Sequence, residues 1–220
     1  MAYEIYWGAG SPYSWRVLLA LEVKGLEYES RLLEFSKNEH QSAEMLAMNP
    51  RGQLPVLRDD DVSVYESIAI LAYLDHNHPD TPLFATTAQE TAFIWQRILE
   101  LENYLCPSLM EIIRPIFFDD IADNIDAIEK AAKYVQAEFN SLEAFLQNND
   151  YLASDSLTAA DIVAFPLVQA LSRALQLKAA APPDLDIIVI DKHYPAIAQW
   201  ITRIEAIPGY AATYPPNWNN

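Results

Sequence analysis

Apolar and polar residues alternate from Tyr3 to Trp7, the two-residue period of a strand. The period changes at Ser11-Pro12. Pro12 to Lys24 reads as a helix, with Ser11 as N-cap, Pro12 at the first helical position and Gly25 just past the end. Tyr28 to Leu33 reads as a second strand and Ser42 to Met48 as a short helix. Pro55 to Leu57 and Val62 to Tyr65 form a hairpin around Asp59-Asp60-Asp61, and Glu66 to Asn77 is again helical. The order β-α-β-α-β-β-α predicts a mixed sheet with helices packed on it.

Beyond Asn77 the pattern changes for good. His78-Pro79-Asp80-Thr81-Pro82 is a turn-rich connector, and nothing after it alternates as strands do. Ala88 to Phe118 is a long helical stretch, with Pro107 and Pro115 placed to bend or end it. Between Ile125 and Leu146, Ile128, Ala132, Val135, Phe139, Leu142 and Leu146 recur at helical spacing. Thr158 opens a third helix: Thr158 and Asp161 fit a capping box with Asp in place of Glu, and Leu157 with Ile162 fits a hydrophobic staple. Ile162 to Leu177 is apolar nearly all round, as a buried helix is. Tyr194 to Ile207 gives a last helix, ending at Pro208-Gly209. The expected architecture is an α/β domain over residues 1–80, a linker over 79–86 and an all-α domain over 87–220.

Half of the 220 residues are hydrophobic, enough for full cores without disulfide staples. No apolar run reaches the ~18–20 residues of a membrane span, and Met1-Ala2-Tyr3-Glu4 has neither region of a secretory signal. The single cysteine, Cys106, excludes an intrachain disulfide and a paired-cysteine redox centre, and reads as a small buried hydrophobe. A soluble cytoplasmic protein is expected. The net charge of -17 argues against nucleic acid and against anionic membranes as partners. That charge is uneven: residues 1–60 hold six basic and nine acidic residues, a net of -3, and the remainder carries -14. The first part therefore suits a small anionic ligand better.

The densest local pattern is Asn49-Pro50-Arg51-Gly52-Gln53-Leu54-Pro55-Val56-Leu57, followed by Tyr65-Glu66-Ser67. Proline cannot donate a ladder hydrogen bond, so Pro55 belongs at the first residue or the edge of its strand. A cis Leu54–Pro55 bond would turn the N–H and C=O of Leu54 outward, where a ligand's peptide group could pair with them. This pattern, together with Tyr6-Trp7-Gly8-Ala9-Gly10-Ser11-Pro12 and Glu39-His40-Gln41-Ser42, resembles the cytosolic glutathione S-transferases, most of all their serine-type rho class. The spacing from His40 through Gln53 to Pro55 is also similar to the phi class. The run 11–16, Ser-Pro-Tyr-Ser-Trp-Arg, is similar to the zeta class too, although that class usually has Ser-Ser-Cys where this chain has Ser11-Pro12-Tyr13. The resemblance covers nearly the whole chain. It implies a thioredoxin-like first domain, an all-helical second domain and a homodimer. It also implies a transferase with glutathione as cosubstrate, no metal, and small hydrophobic electrophiles as substrates.

Glutathione carries two carboxylates, an ammonium, two peptide groups and a thiol. Its γ-glutamyl carboxylate suits a helix N-terminus, where free N–H groups and the dipole favour anions. Ser67 with Glu66 opens such a helix, and Glu66 can take the ammonium. The cysteinyl backbone would pair with Leu54 beside Pro55. The resemblance places His40, Gln41 and Gln53 on the glycyl carboxylate. Relatives often carry Lys beside the histidine, so Gln41 implies a looser hold.

The chemistry the resemblance implies is attack by the glutathione thiolate. A free thiol has pKa ~8.5, and lowering it by two units requires ~2.7 kcal/mol of selective thiolate stabilisation. A hydroxyl aimed at the sulfur and the positive end of a helix both suit this task. Ser11 stands where serine-type classes place their activating hydroxyl, and it is equally a favoured N-cap for the Pro12 helix. Tyr6, on the first strand, and Ser14 are the alternatives. Tyr13, Ile112, Ile113, Ile116 and Phe117, with Tyr210, Tyr214 and Trp218 of the tail, are expected to line an electrophile site between the domains. Tyr13, Ile113, Phe117 and Trp218 are the principal candidates. Arg114 would orient a polar substrate or form an ion pair. Two other functions fit the same residues: a non-catalytic ligand-binding protein, and a glutathione-dependent peroxidase or isomerase.

Overall fold

The computed structural model describes residues 2–177 and 183–218, so Met1 and residues 219–220, the outer ends of the two expected domains, lie outside the described residues. The chain divides into two compact units, Met1–Phe84 with Ala206–Asn220, and Ala85–Glu205.

In the first unit β1 (Tyr3–Trp7), β2 (Tyr28–Leu32), β3 (Val56–Asp59) and β4 (Val62–Tyr65) form one sheet in the order β2-β1-β3-β4. β1 runs parallel to β2 and antiparallel to β3, pairing Tyr6 with Val56, and β3 pairs antiparallel with β4. The inner strands carry Ile5, Val56 and Leu57, all fully buried, while β2 and β4 are largely exposed edges. The crossover from β1 to β2 is α1 (Pro12–Val23), whose residues from Ser14 to Leu21 are all buried. It stops at Gly25, where Leu26 N–H bonds Leu21 C=O and Gly25 N–H bonds Glu22 C=O, a Schellman closure. The short α2 (Ala43–Met48) is capped by Ser42, and α3 (Ser67–Asn77) follows the hairpin. Sheet and helices make the thioredoxin-like arrangement that the resemblance implied.

A buried clasp fixes the exit from α3. The Lys24 ammonium meets the Asp75 carboxylate at 2.8 Å and the carbonyls of His78 and Thr81 at 2.9 and 2.7 Å. Asp75 in turn accepts the N–H groups of Leu83 and Phe84. The connector therefore ends as an ordered strap.

The second unit contains only helices among its described residues: α4 (Ala88–Glu100), α5 (Cys106–Phe117), α6 (Ile125–Leu146), α7 (Ala159–Leu177), α8 (Ile190–His193) and α9 (Pro195–Glu205), with short 3-10 turns. The expected break at Pro107 takes a different form. Residues Leu101–Leu105 make a π-helical turn, and Cys106 N–H reaches five residues back to Leu101 C=O. Pro107 has no N–H to give, so the widened turn lets the chain stay helical through it. Pro115 lies one turn from the end of α5. The helix expected from Tyr194 to Ile207 is the single helix α9; the short α8 precedes it, and a further turn, α10 (Tyr210–Thr213), follows Gly209.

The capping box at α7 forms with its bonds partly reversed. Asp161 accepts from Thr158 N–H at 2.8 Å, and the Thr158 hydroxyl donates to the same carboxylate oxygen at 3.0 Å. The other oxygen takes Leu152 N–H and the Trp200 indole. The N-terminus of α9 is capped from α6, where Glu143 accepts the N–H groups of Ala196 and Ile197. No described helix is long and apolar enough to cross a membrane.

Candidate active site

Ser11 ends the loop between β1 and α1. Its N–H bonds Gly8 C=O at 3.2 Å, and its Oγ accepts the N–H of Ser14 at 3.2 Å. This is an N-cap, as the sequence suggested. A hydroxyl has one donor hydrogen and two acceptor lone pairs, so capping spends a lone pair and leaves the proton. Thiolate stabilisation requires that proton. The two readings of Ser11 are therefore compatible, and both place the hydroxyl at the positive end of a twelve-residue helix.

The alternatives have other partners. Ser14 is fully buried, and its Oγ accepts Gly8 N–H at 3.3 Å, tying the loop from beneath. Tyr6 belongs to a core cluster with Met45, Leu54 and Val56. Its phenol donates to Glu4 at 2.8 Å. Burial first, and then the bond and charge of Glu4, push the Tyr6 phenol above the ordinary tyrosine range. The same hydrogen bond, with the charges of Arg58 and Arg31, holds the Glu4 carboxyl below its usual range.

The Asn49 loop wraps a buried side chain. Asn49 donates its amide to Gln53 C=O at 2.8 Å and accepts Arg51 N–H at 3.1 Å, which closes the turn ahead of Leu54. The Leu54–Pro55 bond is cis. Among the described residues neither backbone group of Leu54 has a hydrogen-bond partner. Glu66, exposed at the head of α3, has φ +69°. A non-glycine residue held there costs ~1–3 kcal/mol, and such strain clusters at functional sites. Ser67, the first helical residue, is buried and its Oγ accepts a bond from Arg16 at 3.3 Å.

His40 and Gln41 sit in the 3-10 turn Glu39–Gln41. The His40 ring meets Phe35 edge to face at 5.1 Å, and its Nδ1 is buried without a partner. Gln41 is partly engaged, donating one amide hydrogen to Gly52 C=O at 2.8 Å. Gln53 is exposed. Ser11, His40, Gln41, Gln53, Leu54, Pro55, Glu66 and Ser67 all belong to the first unit.

The expected electrophile contacts divide between the units. Tyr13 and Trp218 belong to the first, Ile113 and Phe117 to the second. Tyr13 is half-buried, with the Arg16 guanidinium 4.8 Å from its ring centre. Trp218 is nearly covered by Trp15 and Tyr214. On α5, Ile113 is buried while Phe117, one turn on, is exposed, as is Arg114. Cys106 is buried.

Two residues here escaped the sequence reading. Arg16 is only 1% exposed in the midst of apolar α1, and it reaches Ser67. A cation inside the run Trp15 to Leu21 was the available signal, since a charge enters a core only with partners. Phe35 is exposed, yet its ring lies where a side chain on Gly8 would have to be. Nothing in the local pattern around Phe35 points to that contact.

The chain is similar to known proteins along most of its length. Residues 6–82 match the family model described as "Glutathione S-transferase, N-terminal domain", and residues 105–208 match "Glutathione S-transferase, C-terminal domain". Glutathione S-transferase A of Pleuronectes platessa is 30% identical, with 97% of this chain and 92% of that one covered. Glutathione S-transferase 2 of Schizosaccharomyces pombe is 26% identical, with 96% and 94% covered. The crystal structure of a glutathione S-transferase from the Antarctic clam Laternula elliptica matches at a TM-score of 0.82 and 31% identity, covering 100% of this chain and 95% of that one.

Proposed function

We propose that this chain, which belongs to the glutathione S-transferase family, binds glutathione in its first unit and uses Ser11 to hold the cosubstrate as its thiolate. The sulfur supplies the electron pair of the new S–C bond to a small hydrophobic electrophile. A leaving group, where there is one, departs with its bonding pair, and the thiol proton is lost to solvent. The observation that carries this reading is the Ser11 cap, which uses the oxygen and leaves the hydroxyl hydrogen available at the head of α1.

Glutathione's other groups find complements in the same unit. The γ-glutamyl carboxylate meets the head of α3 at Ser67, with the buried Arg16 guanidinium behind it. The strained Glu66 takes the ammonium. Leu54, beside cis Pro55, offers its unpartnered N–H and C=O to the cysteinyl backbone. His40, Gln53 and the remaining amide hydrogen of Gln41 serve the glycyl carboxylate. Tyr13 and Trp218 in the first unit, and Ile113 and Phe117 in the second, are the candidates for the electrophile. The functional division is a glutathione-binding domain over 1–80 and a helical domain over 87–220, joined by 79–86. We assign the chain to the serine-type rho class on its motifs, as a cytoplasmic homodimer that engages neither nucleic acid nor membrane. The net charge of -17 supports the last point.

The test is a pH titration of the thiolate absorbance of bound glutathione, in wild type and Ser11→Ala. The wild type should show a pKa well below the free value of ~8.5, with reversion in the variant and a fall in kcat of ~100-fold. Binding with an unshifted pKa would favour a ligand-binding protein, and a Ser11→Ala variant with normal turnover would refute the assignment.

A further inference from the structure

The chain returns to its first unit at Ala206. Its last described residues gather on α1. The ring centres of Tyr210, Tyr214 and Trp218 lie 6.2, 5.9 and 5.4 Å from that of Trp15. The Trp15 indole donates to the Thr213 hydroxyl at 2.8 Å, and that hydroxyl donates to Tyr210 C=O at 2.8 Å. Trp15 and Thr213 are both nearly inaccessible, at 2% and 1% exposure.

Trp15 is in the first turn of α1, and its N–H bonds Ser11 C=O at 3.0 Å. The tail thus touches the turn that follows Ser11. It also touches the residue that precedes it. Gly10 has φ +78°, and a methyl group there would stand 3.0 Å from Asn217 Nδ2 and 3.5 Å from Trp218 Nε1. Glycine adopts that backbone without strain, and a methyl group there would press on the Asn217 amide. Ser14, bonded to Gly8 N–H, closes the loop from the buried side.

We infer that Asn217 and Trp218 are positioning residues for thiol activation, bracing the Gly8–Ser11 loop so that the Ser11 hydroxyl stays on the sulfur. The inference rests on the Ser11 reading. A hydroxyl that shifts a pKa must be held to within about half an ångström, and a glycine-containing loop does not hold itself so tightly. Capping α1 does not need the tail. Keeping the loop from swinging does, because the Trp218 ring is wedged between Trp15 and Tyr214 with its Nε1 beside Gly10.

The experiment uses the full chain with glutathione, in wild type, Ser11→Ala, Trp218→Ala, Trp218→Phe and Asn217→Gly. The readouts are the thiolate titration, kcat, and KM for glutathione. Trp218→Ala should raise the pKa of the bound thiol by about one unit, a tenfold loss of thiolate below that pKa. Below the wild-type bound pKa, where glutathione binds as the thiol, KM for glutathione should stay within about twofold, since the glutathione contacts are elsewhere. Trp218→Phe keeps a ring against Trp15 and should restore most of the shift. Asn217→Gly removes the amide over Gly10 without touching the aromatic cluster, and should raise the pKa in the same direction. If Trp218→Ala does not fold, Asn217→Gly decides alone. A lowered pKa in wild type, lost in Ser11→Ala but unchanged in the tail variants, would overturn the brace and leave the function standing. So would a change confined to KM for the electrophile. An unshifted wild-type thiol would instead overturn the reading on which the brace depends.

Discussion

Replacing Asp161 by Asn tests whether the second unit is held by acceptors or merely by shape. The Asp161 carboxylate is fully buried and takes four donated bonds, Leu152 N–H at 2.8 Å and the Trp200 indole at 2.9 Å on one oxygen, Thr158 N–H at 2.8 Å and the Thr158 hydroxyl at 3.0 Å on the other. Asn keeps the outline and turns one acceptor into a donor. Whichever way the amide lies, two donors then face an NH2 group. The Thr158 hydroxyl can rotate, so the cheaper orientation leaves one fixed N–H unpaired and loses one bond. A buried unpaired donor costs ~1–3 kcal/mol and a bond to a charged group is worth ~1.5–3 kcal/mol. Against this, burial pushes the Asp161 carboxyl above its usual range, and a neutral amide relieves that cost. The expected net loss is ~2–4 kcal/mol. Trp200→Phe removes a single donor and should lose roughly half as much. The assay is equilibrium unfolding in guanidinium at fixed protein concentration, followed by helix circular dichroism. A Asp161→Asn midpoint equal to wild type, or above that of Trp200→Phe, would refute the reasoning.

Two further outcomes are expected. Glu66→Gly relieves backbone strain at φ +69°, worth ~1 kcal/mol of stability after glycine's entropy cost, while KM for glutathione rises about tenfold as the ammonium loses its partner; a rise in stability with unchanged KM would remove Glu66 from the site. Tyr6→Phe should leave kcat nearly unchanged, because its proton already belongs to Glu4. The ionised Glu4 is favoured in the folded chain, so its contribution is present above the ordinary glutamate range and is lost as pH falls through the lowered folded value. Tyr6→Phe removes the largest cause of that lowering, and acid unfolding should begin at a higher pH.

Much of the first unit was legible because its punctuation is local. Ser11-Pro12 and Gly25 bound α1 by capping rules that operate within a few residues, and the alternation in β1 reports a half-buried strand directly. Thr158 and Asp161 were readable for the same reason, although the pattern did not reveal that Leu152 and Trp200 share the carboxylate. What was not legible is long in range. The apolar run around Arg16 signals that it is buried with a partner, but nothing near it says that the partner is Ser67, fifty-one positions away. Nothing near Phe35 places it over Gly8. The π turn at Leu101–Leu105 was hidden differently: Pro107 signals a break, and only packing decides whether the chain bends, ends or widens its helix.

The bond between Trp15 and Thr213 spans 198 positions. On a ribosome adding ~5–20 residues per second, the indole waits ~10–40 s for the hydroxyl that will satisfy it. During that interval the first sheet and α1 can assemble, but one side of α1 stays unclosed until a segment made after the helical unit reaches it. Loss of the residues that follow Glu205, by a stop there or by proteolytic trimming, therefore damages the first unit rather than the helical one it adjoins in sequence.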